Sequence, residues 1–237
     1  MRIVLGMMLL SACATRTQNA ALFSEIQDLR VRVANLEEAL GMEPEGDPAR
    51  EAEAMIIAMR AREALDNFQM ELGRELVEQL AREYPDTSIG RSAQEYAEHL
   101  SVIGMDAGTL DVTSWLTGEA SYQDDRLTFV VFMEAWCPHC QREAPLLQER
   151  HQALASSGID VVGITSLSRG TSEAEMRDFI DTAGITFPFG VEAGDLSERY
   201  RVQGVPSAVV IRGGKVIWTG HPSTMTAEVL TSLLTPS

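Results

Sequence analysis

The sequence predicts an α/β domain, a mixed central sheet flanked by helices, preceded by purely helical segments. Three observations carry that reading. Leu127 to Met133 is an apolar, β-type run that leads directly into Cys137-Pro138-His139-Cys140 and a helical pattern reaching Ser156. Ile159 to Ile164 is almost continuously apolar, as a strand covered on both faces must be. Ser207 to Ile211 and Lys215 to Thr219 flank Gly213-Gly214, the composition of a tight hairpin. A helix between the first two strands makes them parallel and the hairpin adds antiparallel pairing, so the sheet is mixed.

Taken in chain order, the first segment pairs Arg2 with an apolar run from Ile3 to Leu10, followed by Leu10-Ser11-Ala12-Cys13. The run is too short to span a bilayer and has the layout of a secretory signal over residues 1–12. Its last four residues resemble a bacterial lipobox, which implies that Cys13 becomes a lipid-modified N-terminus, with residues 13–21 as anchor and tether. Lipidation would account for the odd cysteine among three. Ala14 lacks the Asp associated with inner-membrane retention, which points the anchor toward the outer membrane.

Leu22, Ile26, Leu29, Val33, Leu36 and Leu40 then step alternately by four and three, a heptad seam over residues 22–41. β-branched residues at a with Leu at d favour a parallel homodimer through 22–40, a trimer being the other outcome; an amphipathic helix lying on its own chain is the competing reading. Gly41 to Gly46 breaks the pattern, and Asp47-Pro48 starts a helix as N-cap and first-turn proline. Residues 47–104 read as a small helical module, with Phe68, Leu72, Leu76, Leu80 and Tyr84 as apolar positions, Pro85 as a stop and Asp86-Thr87-Ser88 as a new start. Glu83 to Thr87, with Ala93, Tyr96 and Ala97, is similar to tetratricopeptide-type repeats, but one repeat and a fraction do not make a stable solenoid. His99 reads as a surface helix residue.

The dithiol carries most of the chemistry. Two cysteines three apart at a strand–helix junction place the first sulfur at a helix N-terminus, where free N–H groups and the helix dipole favour a thiolate. Thiolates attack disulfides. A c-type haem site needs His after the second cysteine, where Gln141 stands; a structural zinc site needs a second ligand pair, which is missing. A purely structural disulfide closing so small a loop would constrain the unfolded chain little. Residues 107–237 therefore read as a thiol–disulfide exchange domain needing no metal or cofactor. In it Cys137, the more exposed thiol, is the nucleophile, Cys140 the resolving thiol, and His139, when protonated, a positive charge beside the thiolate.

This domain resembles the thioredoxin superfamily, and within it the membrane-anchored TlpA-like thiol–disulfide oxidoreductases. The resemblance rests on Trp136-Cys137-Pro138-His139-Cys140, Glu143 and Pro145, Gly204-Val205-Pro206-Ser207, Gly213-Gly214-Lys215 and Trp218-Thr219-Gly220, in the family's order. It implies a thioredoxin fold, a redox-active Cys137–Cys140 disulfide, a cis-proline at Pro206 that with Val205 presents backbone to substrate, and a proton-assisting carboxylate at Glu143. The helix Ser172 to Ala183 and the strand Thr186 to Val191 look like this family's insertion, and Met225 to Leu234 closes the fold as a helix. Thioredoxins proper bury an Asp six residues before the first cysteine; Val131 stands there, leaving Glu143 and Glu134 as candidates to handle protons.

The reading that follows is an exported lipoprotein on the periplasmic side of a membrane, exchanging disulfides with protein substrates and drawing electrons from a membrane or periplasmic partner. The scaffold resembles reductases; the Cys-Pro-His-Cys motif resembles DsbA-type oxidases, which keeps an oxidant or isomerase open. An envelope scaffold with a non-catalytic thioredoxin domain is the alternative of a different class. A net charge of −16 argues against nucleic acid and against a polybasic membrane patch.

Overall fold

A computed structural model describes residues 47–234 apart from 124 and 155, together with Arg32. The signal segment, Cys13 and the heptad seam lie outside the described residues, as does the chain end beyond 234. Residues 52–237 group as one compact unit. Three helices open it: α1 (Pro48–Asp66), α2 (Met70–Glu83) and α3 (Ser88–Leu100). The sheet domain follows as β1 (Val112–Thr117), β2 (Leu127–Phe132), α4 (Pro138–Leu154), β3 (Ile159–Thr165), α5 (Glu173–Ala183), β4 (Phe189–Glu192), α6 (Leu196–Arg199), β5 (Ser207–Arg212), β6 (Lys215–Gly220) and α7 (Ala227–Ser232). No described helix is long and apolar enough to cross a membrane.

The helix starts follow the capping residues. Asp47 accepts the Ala49 N–H at 2.9 Å, and Thr87 accepts the Gly90 N–H at 2.9 Å. Ser172 and Glu175 form a reciprocal capping box on α5, which ends at Gly184 in the left-handed region. The expected continuity through Phe68 is not observed: the chain breaks between α1 and α2, with Phe68 at φ 56. Leu72, expected on the apolar face, is exposed; Met70, Leu76, Val77 and Leu80 form the buried stripe instead. With α2 starting at Met70, that stripe follows the i, i+6/i+7, i+10 spacing of one helix face and Leu72 falls off it.

The six strands run in the order β1-β4-β3-β2-β5-β6. β2 pairs parallel with β3 and antiparallel with β5, and β5 pairs antiparallel with β6. Gly213 and Gly214 join β5 to β6 at φ 55 and 70, the left-handed pair that a two-residue hairpin requires. All six residues of β2 are buried, so the strand is apolar throughout rather than alternating. β1 was not anticipated, although Val112-Thr113-Ser114-Trp115-Leu116-Thr117 has β-branched and aromatic content before Gly118. The closing helix is shorter than expected, because Pro222–Thr224 forms a separate 3-10 turn and Thr226 caps the helix proper.

The helical module joins the sheet along the free edge of β6. Gly104 donates to Val216 O at 2.8 Å, Val216 to Met105 O at 3.1 Å, and Ala107 to Gly214 O at 2.8 Å. This segment satisfies backbone groups that an open edge strand would present to other chains. Leu100, Val102, Ile103 and Ala107 are buried there, and His99 Nε2 lies 3.4 Å from Thr219 Oγ1. His99 is thus half-buried against β6 rather than a surface residue.

Candidate active site

The site forms where β2 ends and α4 begins. Met133 donates to Ile164 O at 2.9 Å, which holds the chain to β3 just before it turns. Cys137 N–H then donates to Glu134 O at 3.1 Å, and Gln141 N–H to Cys137 O at 3.0 Å. Cys137 is therefore the residue preceding α4, with Pro138 at the first helical position, where a missing N–H leaves no bond unmade. Cys140 N–H points at Cys137 Sγ from 3.4 Å, the helix-end donor expected of this geometry.

Both thiols are free and both are buried, Cys137 at 3% exposure and Cys140 at 0%. The expected contrast in exposure is small; the contrast in environment is large. Cys137 Sγ lies 3.4 Å from Val205 O, the carbonyl of a cis Val205–Pro206 bond. Cys140 has no such outlet, and burial pushes its thiol well above the ordinary range. The backbone N–H of Glu134 offsets part of that, while Cys137 and the Glu134 carboxylate add to it.

The other expected site residues are placed as follows. Trp136 is half-buried; its Nε1–H donates to Ser168 Oγ at 3.1 Å, and the Arg169 guanidinium stacks 3.7 Å from the ring centroid. His139 is exposed, with Arg142 Nη2 2.9 Å from its Nδ1. Arg142 therefore sets a second basic side chain in the same turn as His139. Pro145 sits inside α4 on its exposed side.

The two carboxylates differ. Glu143, expected to assist proton transfer, is buried and paired with Arg150 at 3.4 Å; Arg150 also donates to Pro222 O at 3.0 Å. It does not figure among the groups acting on Cys140. Glu134 is 2% exposed, and its Oε1 accepts from Ser166 N–H at 3.1 Å, Ser166 Oγ–H at 2.7 Å and Ser168 N–H at 3.4 Å. Ser166, Ser168 and Arg169 had no signal in the sequence, since they reach the site by following β3 rather than by neighbouring the motif.

A cavity of about 500 Å³ runs beside the dithiol between α4 and α5, sharing Trp136 and Gln141 with it and continuing past Pro145 to Glu175, Asp178 and Phe179. Neither sulfur lines it.

Residues 112–219 match the AhpC/TSA family model. Among curated proteins the chain is similar to the thioredoxin-like protein YneN of Bacillus subtilis, 28% identical over 116 residues that make up 48% of this chain and 68% of that protein. It is similar also to sporulation thiol-disulfide oxidoreductase A of Bacillus subtilis, 27% identical over 44% of this chain and 63% of that protein. Among solved structures, StoA from Bacillus subtilis is 26% identical and covers 52% of this chain and 96% of its own, with a TM-score of 0.44. The strand order, the free Cys-x-x-Cys pair and the matched segment agree: residues 112–219 match the AhpC/TSA family model and are similar to proteins named thiol–disulfide oxidoreductases.

Proposed function

We propose that the protein is a membrane-anchored, extracytoplasmic thiol–disulfide oxidoreductase of the TlpA-like kind, working as a reductase of protein disulfides through Cys137 and Cys140. The observation that carries this is the position of Cys137: at the start of α4, with the Cys140 N–H 3.4 Å from its sulfur and Val205 O 3.4 Å on the other side. A substrate segment laid along Val205 and Pro206 brings its disulfide to that sulfur. The Cys137 thiolate attacks one substrate sulfur; the substrate S–S bond breaks and the other sulfur leaves with the electron pair and takes up a proton. Cys140 then attacks Cys137, a Cys137–Cys140 bond forms, and the substrate's second sulfur departs. The substrate is reduced by two electrons and the protein is left oxidised, to be recharged by an electron-transfer partner. Electrons pass between sulfurs throughout.

Anchoring rests on the segment ending at Cys13, which export places where disulfides persist. Metabolic palmitate labelling that survives in the wild type and is lost in Cys13→Ser supports it; equal labelling of both overturns it. Redox direction is tested by the equilibrium potential of the dithiol in glutathione and dithiothreitol buffers. A value below about −250 mV supports a reductase, and one above about −180 mV makes the protein an oxidant or isomerase. Failure to exchange in any buffer would leave the scaffold reading.

A further inference from the structure

Among the described residues, three buried side-chain atoms have no hydrogen-bond partner: Arg74 Nε, Thr128 Oγ1 and Glu134 Oε2. Only Glu134 is an acid, and its backbone carbonyl accepts the Cys137 N–H at 3.1 Å, which sets it in the dithiol turn. Its other oxygen holds three donors from the segment after β3, so the carboxylate is fixed in place with one oxygen unspent. No cation is paired with it among the described ion pairs, in contrast to Glu143 with Arg150. An uncompensated polar atom in so dry a position is destabilising, because it has lost its water without gaining a partner. Structural need alone explains Oε1 and leaves Oε2 without a purpose.

The dithiol offers that purpose. Resolution of a mixed disulfide requires the Cys140 thiolate, and burial at 0% exposure opposes it. Forming a second anion beside the Glu134 carboxylate opposes it further. A proton passed from Cys140 to that carboxylate removes both objections together, because the site's net charge stays constant while the thiolate appears. We propose that Glu134, through its unpartnered Oε2, is the base that takes the Cys140 proton as the mixed disulfide resolves. In that step the Cys140–Cys137 bond forms, the bond from Cys137 to the substrate sulfur breaks, and the electron pair leaves with that sulfur. The proton moves to Glu134 and is later released to solvent. The groups bearing on Cys140 are Cys137, the residue just before its helix, and Glu134 from the turn that leads into it. Of the neighbouring ionic groups, Arg169 is stacked on Trp136, Arg142 is held by His139, and Glu143 is tied to Arg150.

The inference rests on the exchange reading above, and the test separates the two. Full-length protein carrying Cys13→Ser is reduced and mixed with less than one equivalent of an aromatic disulfide such as 5,5′-dithiobis(2-nitrobenzoate). Attack by Cys137 releases the first chromophore and resolution by Cys140 the second. Without a first phase, the exchange reading itself fails. With one, Glu134→Gln, which keeps an acceptor for Ser166 and Ser168, should lower the ratio of second-phase to first-phase rate about 100-fold at pH 7. The second phase of the wild type should be flat across neutral pH. In Glu134→Gln it should rise about tenfold per pH unit, following the thiolate fraction of Cys140. An unchanged ratio, or a tenfold-per-unit rise already present in the wild type, overturns the proposal. The wild-type profile decides alone if the variant does not fold.

Discussion

The dithiol end of the sheet and the helical hairpin each bury a polar side chain at a turn, Glu134 in one and Thr87 in the other, and treat it differently. Thr87 is 0% exposed, and its hydroxyl donates to Tyr84 O at 2.8 Å while accepting the Gly90 N–H at 2.9 Å. Both partners lie within three residues, so the turn between α2 and α3 closes its own hydrogen bonds. Glu134 is held by residues more than thirty positions away and still has an oxygen without a partner. The turn between α2 and α3 is built so that its own polar groups are paired. Beside the thiols, a group is left over and a second one, Cys140, is kept from ionising. Arg74 Nε and Thr128 Oγ1 are also without a partner, but only at Glu134 does an unpartnered acid oxygen coincide with a neighbouring buried thiol, and that coincidence marks a candidate site.

The largest expected effect comes from the sulfurs. Cys137→Ser should abolish disulfide exchange, since a hydroxyl at that position is no nucleophile for sulfur at neutral pH, whereas Cys140→Ser should accumulate mixed disulfides with substrate. Non-reducing gels and an insulin-reduction assay read both. Exchange by Cys137→Ser at the wild-type rate would remove the dithiol from the comparison altogether. Next comes Glu143→Ala, which strands Arg150 at 11% side-chain exposure without its carboxylate. Urea unfolding should show a loss of about 3 kcal/mol, with the dithiol's potential little changed. A large shift in potential with little loss of stability would reverse the roles assigned to the two glutamates.

Much of this end of the molecule is legible in the amino-acid sequence. The apolar run of β2, the helix start at Pro138 and the glycines of the β5–β6 hairpin are local features, and local chemistry specifies them. Glu134 and Glu143 were both visible as candidates, but which is neutralised by a cation and which is held only by hydrogen-bond donors depends on where the chain after β3 returns. That is a long-range matter, and the donors it supplies, Ser166 and Ser168, look like ordinary loop residues. In the helical module, the break at Phe68 escaped because no Gly or Pro marks it; the turn is made by Asn67, Phe68 and Gln69.

Two smaller effects sharpen the contrast from the hairpin side. Thr87→Ala removes a cap and leaves Tyr84 O and Gly90 N–H with one partner fewer, which should cost about 1–2 kcal/mol. Because the loss is confined to a turn that closes on itself, exchange kinetics should stay at the wild-type level; slower resolution would mean the hairpin and dithiol are coupled. The last and smallest effect is a dependence on pH. Burial lowers the pKa of His99 below its ordinary 6.5, and burial lowers that of His151 likewise. Above about pH 6.5 both are neutral in folded and unfolded chains alike and contribute no slope. Below it the unfolded chain binds protons first, so stability falls as the pH drops through the ordinary value toward the folded one. Since His99 meets Thr219 where α3 packs on β6, His99→Gln should remove part of that acid slope between about pH 5 and 6.5 and leave stability at pH 8 nearly unchanged. Thermal unfolding midpoints across that range measure it. An unaltered slope would assign the whole effect to His151, against Phe187 on the sheet domain's own helix face, and would leave the junction between hairpin and sheet insensitive to protons.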